Sequence, residues 1–186
     1  TVELPRQRFQ WVPMLHPFLG RRHSEGGVTV FDLTVAAARQ RQAYKPFEDH
    51  AVLGQVILPA ASHLMLAAAA RLSVEGASGA GGIELTACTF ERVVVVPAER
   101  DGGLQMRTQL DSEGKVEISS FDENGEGVSL NARSTATLMP AIGVPSASLD
   151  HWISMCGMPE EAEINSFYAT YRDGGIQYGP GFQAVR

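Results

Sequence analysis

The sequence predicts an α+β domain in which an antiparallel sheet wraps around one central helix. Residues Ala60 to Leu72 form a nearly unbroken apolar stretch interrupted only by Ser62, His63 and Arg71. A helix that is apolar on all sides has to be surrounded rather than laid on a surface. Strand-like segments then succeed one another, and the breaks between them, Asp101-Gly102-Gly103, Ser112-Glu113-Gly114 and Asn124-Gly125, have the chemistry of hairpin turns. Neighbouring strands should therefore pair antiparallel.

Taken in chain order, Leu4 to Pro13 mix prolines, basic residues and two aromatics without periodicity, so residues 1–13 read as an extended connector. The domain proper spans residues 14–139. Val28–Thr34 is β-branched and bounded by Gly26-Gly27, which makes it a strand; Lys45-Pro46-Phe47-Glu48-Asp49 breaks the pattern after it. The helix enters after Pro59, a residue well suited to a first helical turn. Gly76 to Gly82 is a loop that lacks the spacing and the Lys-Ser/Thr ending of a phosphate cradle. Strands are expected over residues 83–96, 103–110, 115–121 and 128–139. Asp122-Glu123-Asn124-Gly125 is a hairpin turn and not a calcium loop, because the ligand alternation and the distal Glu are missing. Residues 140–162, with Pro140, Pro145 and Pro159, form a linker. Residues 163–186 open a second unit with a short helix over Glu163–Arg172, stopped by Gly174-Gly175.

Composition narrows the function classes. The 186 residues hold 15 Lys and Arg against 21 Asp and Glu, a net charge of −6. That balance argues against a phosphate backbone as partner, although Arg6, Arg8, Arg21 and Arg22 form a small basic cluster. The longest apolar run, Leu64 to Ala70, is far short of the roughly 18–20 residues that span a bilayer. The first residues lack a charged region followed by an apolar one, so the expected location is the cytoplasm. Cys88 and Cys156 form no C-x-x-C pair and read as reduced, with no metal site implied. The absence of Met at Thr1 and the end at Arg186 suggest a piece of a longer polypeptide.

Histidine is the first candidate for acid–base work near neutrality. His16, His23, His63 and His151 sit in contexts where a surface or satisfied core histidine suffices. His50 differs in its downstream neighbours: His50-Ala51-Val52-Leu53-Gly54-Gln55-Val56-Ile57-Leu58-Pro59, then the helix. This places an imidazole on an extended segment that turns into a helix N-terminus, whose unpaired N–H groups and partial positive charge can stabilise an oxyanion. Gly54 would let a substrate approach the backbone. A base and an oxyanion site at one turn suit proton abstraction beside a carbonyl; a plain loop histidine is the competing reading.

The segment His50-x-x-x-Gly54-x-x-x-x-Pro59 resembles the signature of dehydratase domains of modular polyketide synthases and animal-type fatty acid synthases. Three further features agree with this. His16-Pro17-Phe18-Leu19-Gly20 resembles the HP-x-L-G opening of those domains, and Leu4 to Trp11 resembles the linker from an upstream acyltransferase. Phe167-Tyr168 and Tyr178-Gly179-Pro180-Gly181-Phe182 resemble the region of their Y-G-P-x-F motif. The motifs run across nearly the whole chain in the right order.

The resemblance implies a double hotdog, with this chain as the first hotdog module and the start of the second. It implies removal of water from a 3-hydroxyacyl thioester on acyl carrier protein. His50 would take the C2 proton, and an aspartate in a D-x-x-x-Q or D-x-x-x-H motif would protonate the leaving hydroxyl. Gly54 would polarise the thioester carbonyl through its N–H at the approach to the helix, and Pro59 would fix the helix entry. Tyr178 would orient the substrate, with Gly179, Pro180 and Phe182 shaping the wall. No bound cofactor or metal is implied; the substrate arrives on a phosphopantetheine arm. Expected partners are acyl carrier protein, neighbouring synthase domains, the second hotdog module and, in the megasynthase, a second copy in a homodimer.

Two departures from the family stand out. Ile176 occupies a position where the family often has a second tyrosine, and Asp32, Asp49, Asp150 and Asp173 all lack the aspartate motif's spacing. The expected acid lies beyond residue 186. Alternatives with the same fold are a dehydrating (pyran-forming) cyclase, a double-bond isomerase and a product template; others are a catalytically silent structural module and a free-standing hotdog thioesterase.

Overall fold

A computed structural model of the chain describes residues 16, 19–36, 45–75, 80–97, 103–140 and 160–183. Strands β1 (Arg21–Glu25) and β2 (Val28–Thr34) are followed by a short helix α1 (Lys45–Glu48) and strands β3 (His50–Val52) and β4 (Gln55–Leu58). The central helix α2 (Ala60–Glu75) precedes β5 (Ala80–Phe90), β6 (Val94–Val95), β7 (Gln105–Leu110), β8 (Lys115–Phe121) and β9 (Ser129–Pro140). Helix α3 (Glu161–Asp173), β10 (Ile176–Tyr178) and a 3-10 turn (Pro180–Phe182) complete the order. The connector over residues 1–13 and most of the expected linker, residues 141–159, lie outside the described residues, as do His151 and Cys156.

Every described strand pairing is antiparallel. A six-stranded sheet runs β1-β2-β7-β8-β9-β5 and a four-stranded one β10-β3-β4-β6. Helix α2 packs against β5, β7 and β9 of the larger sheet. Its Leu66, Ala67, Ala69 and Ala70 are buried with Leu33, Val35, Met106, Leu110, Val116, Ile118, Ala132 and Ala136. The alanines let the helix axis approach the sheet, and the alternation of buried and half-buried residues along β7 and β8 is that of strands with one face on a core. This is the α+β wrap around a helix that the apolar stretch predicts.

The turns repeat one device. Asp111 Oδ1 accepts the N–H of Glu113 at 2.9 Å and of Lys115 at 2.8 Å. Asp122 Oδ1 likewise accepts Asn124 N–H at 3.0 Å and Glu126 N–H at 2.8 Å. In both, a short carboxylate replaces the missing backbone partners of a tight turn.

One strand is added to those expected and three expectations are corrected. Arg21, Arg22 and His23 belong to an edge strand; Arg107 donates from Nε to Asp32 at 2.7 Å across the next strands, and His23 lies 3.7 Å from Asp32. A charged sequence shows no alternation yet suits an edge that must not recruit another strand. The strand expected over 83–96 is two, since the N–H groups of Glu91 and Arg92 both turn to the Asn131 carbonyl at 2.8 and 3.4 Å, releasing β6 to the other sheet. Residues 80–82, expected in a loop, extend β5, where Ala80 pairs with Pro140 and Gly82 with Met139. Helix α3 begins at Glu161, two residues early, because Glu160 and Glu163 form a reciprocal capping box.

Ile118 is 2% exposed between the sheet and α2. Ile118→Ala should lower unfolding stability by about 2–5 kcal/mol, the range for truncating a buried isoleucine. Urea denaturation checks this, as a lower midpoint at an unchanged slope.

Candidate active site

His50 opens β3, and its ring Nδ1–H donates to the Ile57 carbonyl on β4 at 2.7 Å. A carbonyl oxygen only accepts, so this bond puts the ring proton on Nδ1 and leaves the lone pair on Nε2. Antiparallel pairing of Ala51 with Val56 and Val52 with Gln55 brings the two residues opposite each other. From Ile57 the chain runs through buried Leu58 and Pro59 directly into α2. The imidazole is thus tied to the strand end that leads into the helix N-terminus.

On the other side of β3 lies the segment that is most distant in sequence. β10 pairs with β3, Tyr178 opposite His50 and Gln177 opposite Ala51. The Tyr178 ring centroid is 5.8 Å from that of His50, and the Phe182 centroid is 5.2 Å away. Tyr178 and Phe182 are nearly parallel, 5° apart in plane. From α3, Tyr171 and Tyr168 approach Tyr178 at 5.6 and 6.5 Å, so an aromatic wall stands beside the imidazole.

Gly179 and Pro180 place that wall. Gly179 N–H donates to the Asp49 carbonyl at 2.7 Å, and a Cβ on Gly179 would lie 2.5 Å from Asp49 Oδ1 and 2.7 Å from Asp49 Cβ. Only a residue without a side chain allows this approach. Pro180 begins the 3-10 turn, where its fixed φ suits the first position. Gln183 Nε2 then donates to the Tyr178 carbonyl at 2.9 Å. Sequence reasoning missed Ile57 and Gln183 and weighed Asp49 only as an acid; Asp49 adjoins His50, but nothing in the sequence gives its contact with Gly179.

The placement expected for Gly54 is corrected. Gly54 stands with Leu53 at the exposed tip of the β3–β4 hairpin, at φ +79°. All of β4 separates it from α2, roughly 13 Å of extended chain at 3.3 Å per residue. Its local role is the left-handed turn that a two-residue hairpin requires. Leu53 N–H donates to the Gly175 carbonyl at 2.7 Å, which anchors the start of β10. Pro59 is the last residue before α2. Its carbonyl accepts both the N–H of Ser62 at 2.9 Å and the Ser62 hydroxyl at 2.6 Å.

The other described histidines stand apart from this group. His23 lies on β1, and His16 is lowered in pKa by burial. His63 is buried on the first turn of α2, and burial holds its pKa below the ordinary histidine value, with a small opposing pull from the Pro59 carbonyl. Among the described residues no group of three or more His, Cys, Asp or Glu could hold a metal ion. Cys88 is exposed and unpaired by any disulfide.

Gly179→Ala should detach the aromatic wall and lower stability, and the loss should shrink in an Asp49→Ala background, the coupling of about 0.5–3 kcal/mol that contacting sites show; a double-mutant cycle by urea denaturation reads it. For His63, folded and unfolded rings are both neutral above about pH 6.5. As pH falls below that, the unfolded state binds protons that the folded ring does not, so stability falls, with His16 contributing the same sign. His63→Phe should flatten this acid limb in urea midpoints measured across it.

A family model described as polyketide synthase dehydratase domain matches residues 16–122. Polyketide synthase PksN of Bacillus subtilis (strain 168) is 30% identical over 145 residues, covering 74% of this chain and 3% of that protein. The dehydratase domain from the CurF module of curacin polyketide synthase superimposes with a TM-score of 0.71 at 23% identity, over 92% of this chain and 61% of that one. The dehydratase domain of PpsC from Mycobacterium tuberculosis gives 0.67 at 19% identity, over 90% and 56%. The chain therefore spans a small part of PksN and less than two thirds of the solved domains. These likenesses fit the N-terminal half of a double hotdog, and with a sequence match across more than half of its length the chain belongs to the polyketide synthase dehydratase domain family.

Proposed function

We infer that this chain supplies the general base of a dehydratase that converts a 3-hydroxyacyl thioester on acyl carrier protein into an enoyl thioester. The observation that carries the reading is the bond from His50 Nδ1–H to Ile57 O, which leaves Nε2 as the basic atom beside the Tyr178 and Phe182 rings. His50 Nε2 takes a proton from C2, the C2 electron pair forms the C2–C3 double bond, and the C3–O bond breaks. The hydroxyl leaves as water once an acid gives it a proton.

That acid is an aspartate expected beyond residue 186. Within the chain, Asp32 is engaged by Arg107 in two bonds, at 2.7 and 3.2 Å, and Asp49 is packed on Gly179. In the CurK dehydratase, a His→Phe variant and an Asp→Asn variant are each inactive, which supports a histidine–aspartate pair here.

The thioester carbonyl would gain negative character as C2 loses its proton. The start of α2 offers N–H groups and the positive end of the helix dipole to it. With Gly54 at the hairpin tip, Ala60 and Ala61 take the role expected of the glycine. Tyr178 would hold the substrate from the aromatic side, and its wall would keep water from the forming double bond. The substrate arrives on the phosphopantetheine arm of the carrier protein, with neighbouring synthase domains as partners.

His50→Ala in the full-length protein should cut dehydration of a 3-hydroxyacyl thioester by about 10²-fold or more, the low end of what a positioned base contributes. Mass spectrometry of the acyl chain reads loss of water directly. Dehydration at the unmodified rate would remove His50 as the base.

A further inference from the structure

His63 is 4% exposed, and among the described residues neither ring nitrogen has a hydrogen-bond partner. The Pro59 carbonyl is near enough to influence the ring but is already taken by the N–H and hydroxyl of Ser62. A neutral imidazole carries one donor and one acceptor, so both are left wanting, a state that buried polar groups rarely keep without a reason. The ring stands edge-on to Phe90 with centroids 6.2 Å apart. It forms one wall of a cavity of about 140 Å³ shared with Leu58, Ala60, Phe90 and Val93.

We propose that this cavity is a subsite for a neutral oxygen function, a hydroxyl or carbonyl, borne on the acyl chain of the substrate. The inference rests on the dehydratase reading and adds to it a selection among acyl chains. Three features give the subsite its chemistry. The walls are apolar apart from His63 and the two residues at the rim, so the occupant is a carbon chain with a single polar group. Glu91 and Arg92, the exposed charged residues of the lining, carry opposite charges that cancel, so no net charge of the cavity invites an anion or a cation. The unfilled capacity of the ring matches a group that accepts from, or donates to, one nitrogen.

The position suits a chain held at His50. Ile57 faces His50 on one side through its carbonyl and Val95 of β6 on the other. The cavity lies where β6 begins, two strand spacings or roughly 10 Å from β3. It also touches Ala60, the first residue of α2. An acyl chain whose thioester lies at the start of α2 would therefore meet His63 with its distal carbons.

The test uses the full-length protein and two 3-hydroxyacyl thioesters of equal length, one with a distal hydroxyl or carbonyl and one without. Wild type should favour the oxygenated chain in kcat/KM by about tenfold or more, as sites built to bond an oxygen do. His63→Phe should erase the preference while still dehydrating the plain chain, and His63→Gln should retain part of it. His63→Phe should also raise the unfolding midpoint, because it removes two orphaned polar atoms while keeping a ring; a merely structural histidine would lower it. No preference in wild type, or an equal loss on both substrates in His63→Phe, overturns the subsite. If wild type dehydrates neither chain, the dehydratase reading fails and the subsite is judged by NMR of the His63 ring. Non-reactive thioether analogues of the two chains are the probes: a shift with the oxygenated one alone upholds the subsite, and no shift, or equal shifts, overturns it.

Discussion

The hydrogen bond from His50 to the Ile57 carbonyl is the contact on which the arrangement of the site depends. It is a bond between a side chain and the facing strand, so it exists only when β3 and β4 are in register. It fixes the imidazole tautomer and the ring orientation together, and Ile57 is three residues from the first residue of the central helix. The position of the imidazole is thereby slaved to the position of a helix N-terminus. A one-residue slip of the hairpin would turn His50 to the other face of the sheet. The left-handed Leu53-Gly54 turn, at φ +50° and +79°, protects that register, which gives the glycine in the motif a structural role of its own.

The remainder of the site is built on the opposite side of the same strand. β10 adds to β3 through backbone pairing, and this brings Tyr178 and Phe182 to the imidazole. Asp49 holds Gly179 so closely that the backbone itself is the spacer. The aromatic side chains of α3 then back Tyr178. The order of dependence is hairpin, strand addition, then aromatic packing, and each layer is rigid only if the preceding one is formed.

Much of the fold was legible because it rests on periodicity and turn chemistry. β2 and β8 have the boundaries that the sequence predicts, and α2 is extended by only three residues. The unread pieces have two physical causes. β1 is an edge strand of charged residues, where solvent exposure removes the alternation that marks strands. The break after Phe90 is imposed by Asn131, a residue far along the chain. At the site, residue type and order pointed to His50, Pro59 and Tyr178, but not to the contacts that join them. Ile57 contributes only its carbonyl, which every residue possesses, and Gly54 took its expected role from proximity in sequence although an extended strand intervenes. Contacts made by backbone atoms leave no mark in residue identity.

The pairing of β3 with β10 also has a meaning for how the protein is made. Synthesis releases His50 long before Tyr178, so β3 leaves the ribosome with one side of its backbone unpaired. The core of α2 and the larger sheet can close in the meantime, since its strands are mostly joined by short turns. The histidine strand waits as an open edge, the kind of surface that recruits stray strands. The aromatic wall can thus join the histidine only after residues 176–182 emerge, and the interval before it is when this strand is most open to mispairing.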